Sequence, residues 1–571
     1  MAVVVLSYRQ NVHAYPSGGG DYEVASDNLG RPAGLVVGSA LLADYVLTVA
    51  VSVSSGTDYL VSMIPSLDRY SVWIALAVIA FLTVLNLRGI RESGKALAFP
   101  VYGFMAAIGI TVLTGLAEDL TGHLHMAESA AYSIVPTTSV TVGLGSVAGM
   151  FLLARAFSSG SAALTGVEAI SNGVPNFRKP KSRNAATTLA ILGTISVTMM
   201  LAITILANRT GVHYVQNPAT ELVDQAGNPA GAAYQQHPAI SQIALAVFHS
   251  ARPLFFIVAG LTCIILFLAA NTAFNGFPTL ASVLARDSYL PHQLRRRGDR
   301  LAYSNGILLL AVAAALLVFI FQANVNRLIQ LYIVGVFISF TTSQFGMIRH
   351  WGRLLRLEPS RRRRFVMWRS RIINIIGFLL TATVLIVVLI TKFTRGAWMT
   401  LLLMAILFLW MNRVHAHYTT VSEELAVQGD PADARKLPSR VHAIVLVSKL
   451  NRPAMRAIAY ARATRPAHLE VITVGVSDTG LKTLRADWDR LGVPLPLTVI
   501  GSPYRAITRP VTSHIHEVKK AHPDELIVVY IPEYVVAHRW QEMLHNQTAL
   551  RLTLRLRRIK KVVVATVPWI L

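Results

Sequence analysis

The 571-residue chain is 53% hydrophobic, carries only 14% charged residues and has a mean hydropathy of +0.49. Soluble domains carry roughly 25% charged residues, so this composition excludes an ordinary soluble enzyme and points to a polytopic membrane protein. The net charge of +24 does not indicate nucleic-acid binding, because Lys and Arg cluster in short loops between apolar runs, and the single Cys263 excludes an intrachain disulfide and a cysteine-based metal site.

The chain opens on MAVVVLSYRQNVHAYP. This apolar stretch is too short to span a bilayer, and it lacks the basic n-region and small-residue cleavage site of a signal peptide. It reads as the last turns of a helix. The GGG and DNLGRPAG that follow read as a cytoplasmic loop. Apolar runs of about 20 residues, the length needed to cross a membrane, then recur. They lie near 33–55, 72–88, 97–116, 146–173, 186–207, 253–284, 303–322, 327–348, 372–392 and 396–413, which predicts ten complete helices. Basic loops follow the second, fourth, sixth and eighth runs. They hold Arg88, Arg91 and Lys95; Arg178, Lys179, Lys181 and Arg183; Arg295, Arg296 and Arg297; and Arg353, Arg356 and the Arg361–Arg364 block. The alternate loops 118–140 and 211–242 have no Lys or Arg, so the basic side faces the cytoplasm. Lys392 and Arg395, on a short outer turn, are exceptions.

Beyond residue 417 the composition changes. AIVLVSKL, LEVITVGV, PLTVIG, ELIVVYIP and KKVVVATV read as buried parallel strands. Amphipathic segments between them read as helices, and such alternation implies a parallel sheet covered by helices. Residues 1–416 are expected to form the membrane domain and 417–571 a cytoplasmic α/β domain. No Gly-rich phosphate loop follows the first strand.

Asp44, Thr48 and Ser52 stand at i, i+4 and i+8 in the run LLADYVLTVAVSVSSG, on one helix face. A carboxylate in hydrocarbon is costly and is a functional-site hypothesis by default. The three side chains offer oxygens that could line a path for a cation. The two hydroxyls have an alternative use as backbone-bonded helix glue. Thr165 and Glu168 follow the helix-weak patch Ser158, Ser159, Gly160, Ser161 within another span. Transporters use such breaks to bind ions near the midplane. Glu168 is either a direct ligand or a proton carrier, since desolvation favours the neutral form of an acid. Arg155, about one turn earlier, either snorkels to the outer interface or pairs with an acid. Tyr332 has the position of an interface anchor. GLGSVAG at 143–149 lacks dinucleotide spacing, and the sequons at Asn208 and Asn546 carry little weight. The seventeen histidines include no HxxxH or HExxH pair on a helix, so no histidine metal site is expected. The chain reads as a transporter, not an enzyme.

The segments AYPSGGGDYEVASDNLG, LLADYVLTVAVSVSSG, LTGVEAISNGVPNFRKP and ARDSYLPHQL resemble the amino acid–polyamine–organocation (APC) superfamily of secondary transporters. With the α/β tail, the chain is similar to the KimA-type potassium–proton symporters. The resemblance implies a LeuT-like fold of inverted five-helix repeats plus two helices, with a universal-stress-like cytoplasmic domain. It implies a homodimer in a bacterial plasma membrane, with no nucleic-acid partner. It maps potassium ligands to Asp44, Thr48, Ser52, Thr165 and Tyr332, and proton coupling to Glu168. It also implies control by a cyclic dinucleotide, which no residue here places. The family's first helix and most of its second would precede Met1. An amino acid or polyamine permease is the alternative, and a regulatory protein acting through its cytoplasmic domain is a third reading.

Overall fold

The computed structural model of the chain describes residues 1–16, 20–88, 94–135, 146–160, 166–231, 234–295, 303–393, 396–426, 440–502, 506–536 and 547–570. It divides into two compact units, Met1–Glu424 and Leu425–Leu571.

The first unit is helical. Its elements are α1 (Ala2–Ala14), α2 (Gly20–Leu29), α3 (Arg31–Met63), α4 (Ser71–Leu87), α5 (Gly94–Thr121), α6 (Val147–Gly160), α7 (Val167–Asn172), α8 (Lys181–Arg209), α9 (Ala239–Val247), α10 (Arg252–Arg286), α11 (Ser304–Ile320), α12 (Val325–Leu357), α13 (Arg361–Lys392) and α14 (Ala397–Leu425). Eight described helices are long and apolar enough to cross a membrane, and α11 is a shorter apolar one. Each of the ten apolar runs falls on helix. The fourth is divided between α6 and α7. The last helix runs on to Leu425, about two turns past the boundary expected at 416, because its polar end HAHYTTVSEEL continues the helix without Gly or Pro.

One expectation is corrected. The stretch around DNLGRPAG was read as a loop, yet Gly20–Leu29 is helical and buries Asp21, Tyr22, Val24 and Ala25. Pro32 then stands in the first turn of α3, where a missing N–H costs nothing. Pro65, in the short 3₁₀ turn that follows, marks the helix end.

Burial is uneven. Helices α3 and α12 are enclosed on most of their surface, whereas α4, α5 and α6 expose large side chains such as Trp73, Phe81, Phe99, Leu113 and Phe157. An apolar side chain facing outward is at home in lipid, so exposure here marks the membrane-facing rim. The enclosed pair forms the centre. Gly335 of α12 lies where a Cβ would meet the Ala40 carbonyl oxygen of α3 at 3.2 Å. Small residues let membrane helices approach this closely.

The second unit has five strands, β1 (Val441–Leu446), β2 (His468–Gly475), β3 (Leu497–Gly501), β4 (Leu526–Val535) and β5 (Val562–Ile570), all parallel in the order 3-2-1-4-5. Alternate residues of β1 face opposite cores: Ala443 and Val445 pack with α15 (Arg452–Ala463) and α16 (Asp478–Arg490), and Ile444 packs with α17 (Thr508–Ala521) and α18 (Gln547–Leu556). A central strand buried on both faces is the mark of a doubly wound sheet.

Candidate functional site

Asp44 lies on α3, 2% exposed. Its Oδ1 is buried and accepts no hydrogen bond from any described residue. Buried polar atoms in proteins are almost always hydrogen-bonded, so each exception calls for an explanation. One turn further along α3, the Thr48 hydroxyl donates to the Tyr332 hydroxyl at 3.3 Å, joining α3 to α12. Tyr332 is therefore placed inward, against the central helix, and not as an outer anchor. Ser52 is partly buried two turns from Asp44.

Glu168 is 5% exposed on α7. The helix starts after Gly166, whose φ of 94° is left-handed. Glycine adopts this conformation without steric cost. The turn aims the Gly166 N–H at both Glu168 carboxylate oxygens, each at 3.1 Å. Asn172, at the other end of α7, donates to the Tyr45 hydroxyl at 2.9 Å and so ties α7 to α3. Thr165 lies outside the described residues. Arg155 is partly buried on α6 and makes no ion pair among the described residues.

A third acid belongs to this region. Asp21 of α2 is 1% exposed, and its Oδ2 accepts from the Tyr8 hydroxyl at 2.5 Å and from Ser339 at 2.7 Å. Its Oδ1 has no partner among the described residues. Helix α2 packs against both α3 and α7, so the elements that carry Asp21, Asp44 and Glu168 are neighbours. Sequence reading missed Asp21 because a Gly-rich approach disguises the helix. The signal available was the pair Asp21–Tyr22 beside apolar Val24 and Ala25, a pattern a solvated loop does not require.

The surroundings are held by polar side chains between helices. Ser7 of α1 sits 2.7 Å from Gln344 Oε1 and 2.6 Å from Asn374 Oδ1. Asn11 donates to Ser343 at 3.1 Å. Tyr8 meets Phe340 edge-on at 5.3 Å between centroids. Each contact fastens α1 to α12 or α13, and interhelical hydrogen bonds are a main source of cohesion where water is absent.

Three buried acids lie among hydroxyls in a bundle of apolar helices, a setting that suits a membrane transporter, and the family matches give its class as APC. Residues 1–410 match the amino acid permease family, and residues 440–569 match the KimA potassium transporter C-terminal domain. The chain is 37% identical over 577 residues to the protein named Potassium transporter KimA of Bacillus subtilis (strain 168), an alignment covering 100% of this chain and 87% of that relative. The chain belongs to the KimA-type family of the APC superfamily, and is a multi-pass protein of the bacterial plasma membrane with a cytoplasmic C-terminal domain.

Proposed function

We propose that this chain carries potassium across the bacterial plasma membrane, coupled to protons. The observation that carries the reading is Asp44: a carboxylate enclosed by protein within a membrane span, with one oxygen that takes no hydrogen bond among the described residues. A dehydrated cation is the partner such an oxygen accepts. Hard cations prefer oxygen ligands, and Asp44, Thr48, Ser52, Thr165 and Tyr332 would supply them. Potassium as the cargo also accords with the name of the relative. Glu168, on the short helix that Asn172 ties to α3, would carry the proton. Rocking of one helix group against the other would alternate access to the site.

Two further features belong to the proposal. The chain would act as a homodimer, as the family resemblance implies. A phosphate-bearing regulator such as a cyclic dinucleotide would bind the cytoplasmic domain. A cavity of about 350 Å³ there, lined by Arg509, Thr512, Ser513, Lys520 and Arg555 with Glu517 beside them, offers the guanidinium and hydroxyl donors that phosphates prefer.

The match to the amino acid permease family favours an amino acid cargo as the second reading. Rubidium uptake into proteoliposomes containing the full chain separates the two. At saturating rubidium, potassium in tenfold excess should suppress the uptake by about tenfold through competition for the same site, and amino acids or polyamines should leave it unchanged. Competition by an amino acid, or uptake of a labelled amino acid without rubidium uptake, would overturn the potassium assignment.

A further inference from the structure

Four side chains of the cytoplasmic unit converge at the N-terminal edge of its sheet. His442 starts β1 and His468 starts β2, and the parallel register sets them side by side. His522 ends α17, and Glu525 immediately precedes β4. A tight turn holds the last two together, with the Glu525 N–H bonded to the His522 carbonyl at 3.3 Å. The three imidazoles form a nearly equilateral triangle, with centroids 5.3, 5.5 and 5.2 Å apart. Glu525 faces all three. Its Oε2 is 3.5 Å from His442 Nδ1, and its Oε1 is 3.5 Å from His468 Nε2 and 3.6 Å from His522 Nδ1. His442 Nδ1 and Glu525 Oε2 are buried, yet neither makes a hydrogen bond with any described residue.

We propose that His442, His468, His522 and Glu525 bind a divalent transition-metal ion, zinc before others. Zinc takes four ligands tetrahedrally at about 2.0–2.1 Å, which sets neighbouring donor atoms about 3.4 Å apart. The distances to Glu525, 3.5 and 3.6 Å from Oε1 to His468 and His522 and 3.5 Å from Oε2 to His442, are close to that value. Donor atoms of His442, His522 and Glu525 all lie within 4.8 Å of one another, so closing the longest edge takes a small rotation. His522 and His468 are the groups free to make it, with side chains 37% and 45% exposed, against 10% for His442 and 8% for Glu525. That pair also gives an ion its way in from solvent. Three imidazoles and one carboxylate suit zinc, not a hard alkali or alkaline-earth cation.

The surroundings supply the outer partner that metal-bound imidazoles use. The second nitrogen of His442, Nε2, points to Glu470 Oε1 at 3.7 Å, and His514 holds the same oxygen at 2.9 Å. Glu470 is thereby placed to orient His442 with Nδ1 toward the ion. Helical spacing could not reveal this site, because its ligands come from two strand starts and one turn. It also lies at the opposite end of the strands from the edge where doubly wound sheets usually take ligands.

The test uses the full chain purified in detergent, stripped with chelator, reloaded with zinc and desalted. The wild type should retain one zinc per chain. Loaded with cobalt(II), it should show the visible absorption of a tetrahedral ion. His468→Gln, at an exposed position that spares the core, and Glu525→Gln should each lower zinc affinity by at least tenfold. Glu470→Gln should lower it by about 10–100-fold through His442 alone. At the same zinc concentration, zinc should raise the unfolding temperature of the wild type by more than that of His468→Gln. A wild type that retains no more zinc than the His468→Gln/His522→Gln variant would overturn the proposal and leave the cluster as a set of ion pairs around Glu525.

Discussion

Asp44→Asn should abolish rubidium uptake while leaving a folded, monodisperse protein in detergent. The asparagine keeps the shape of the side chain, removes its charge and turns one acceptor oxygen into an NH2 donor. Oδ1 of Asp44 makes no hydrogen bond with any described residue, so a change at that oxygen breaks no described contact. The loss falls on the passenger. A unit charge about 4 Å from a cation is worth about 4 kcal/mol at an effective dielectric near 20. That corresponds to roughly a thousandfold in affinity, beyond what the hydroxyls of Thr48 and Tyr332 could restore. Uptake by Asp44→Asn within threefold of wild type, at rubidium concentrations below saturation, would remove Asp44 from the site.

Glu168→Gln has a different expected outcome. Glutamine retains a carbonyl oxygen for the Gly166 N–H, so the start of α7 should keep its geometry. What it loses is the ability to take and release a proton. At zero membrane potential, one proton per cation couples a tenfold proton gradient to a rubidium gradient of at most tenfold, since each tenfold step is about 1.4 kcal/mol on both sides. Wild-type proteoliposomes with an acidic exterior should accumulate rubidium toward that limit. Those with Glu168→Gln should equilibrate and stop at a ratio near one. Accumulation by the variant equal to wild type would assign the proton to another group, with Asp21 the first to examine. Loss of all uptake, as for Asp44→Asn, would make Glu168 a ligand of the cation itself.

The membrane architecture could be read from the chain because the bilayer imposes one demand at every span: about 20 apolar residues with all backbone groups bonded internally. The runs that became α3, α10 and α13 needed nothing else. Asp44 stood out for the same reason, since a carboxylate amid Leu, Val and Ala is conspicuous against its cost. The expected weak patch at Ser158, Ser159 and Gly160 is helical, and the left-handed turn before Glu168 falls at Gly166 instead. Asp21 was not legible. Its helix is short and polar, and its burial comes from Tyr8 and Ser339, 13 and 318 positions away. The inward placement of Tyr332 was equally hidden, because a Tyr near a span's end looks the same whether it meets lipid headgroups or Thr48. In the second unit the β-branched runs announced the strands. The meeting of His442, His468, His522 and Glu525 depended on strand register and order, which apolar periodicity does not encode.

If Asp44 holds a bare alkali cation, equilibrium binding of labelled rubidium to the purified full chain should show one saturable site per chain, displaced by potassium, indifferent to amino acids and absent in Asp44→Asn. Saturable binding that persists unchanged in Asp44→Asn, or that an amino acid displaces, would contradict it.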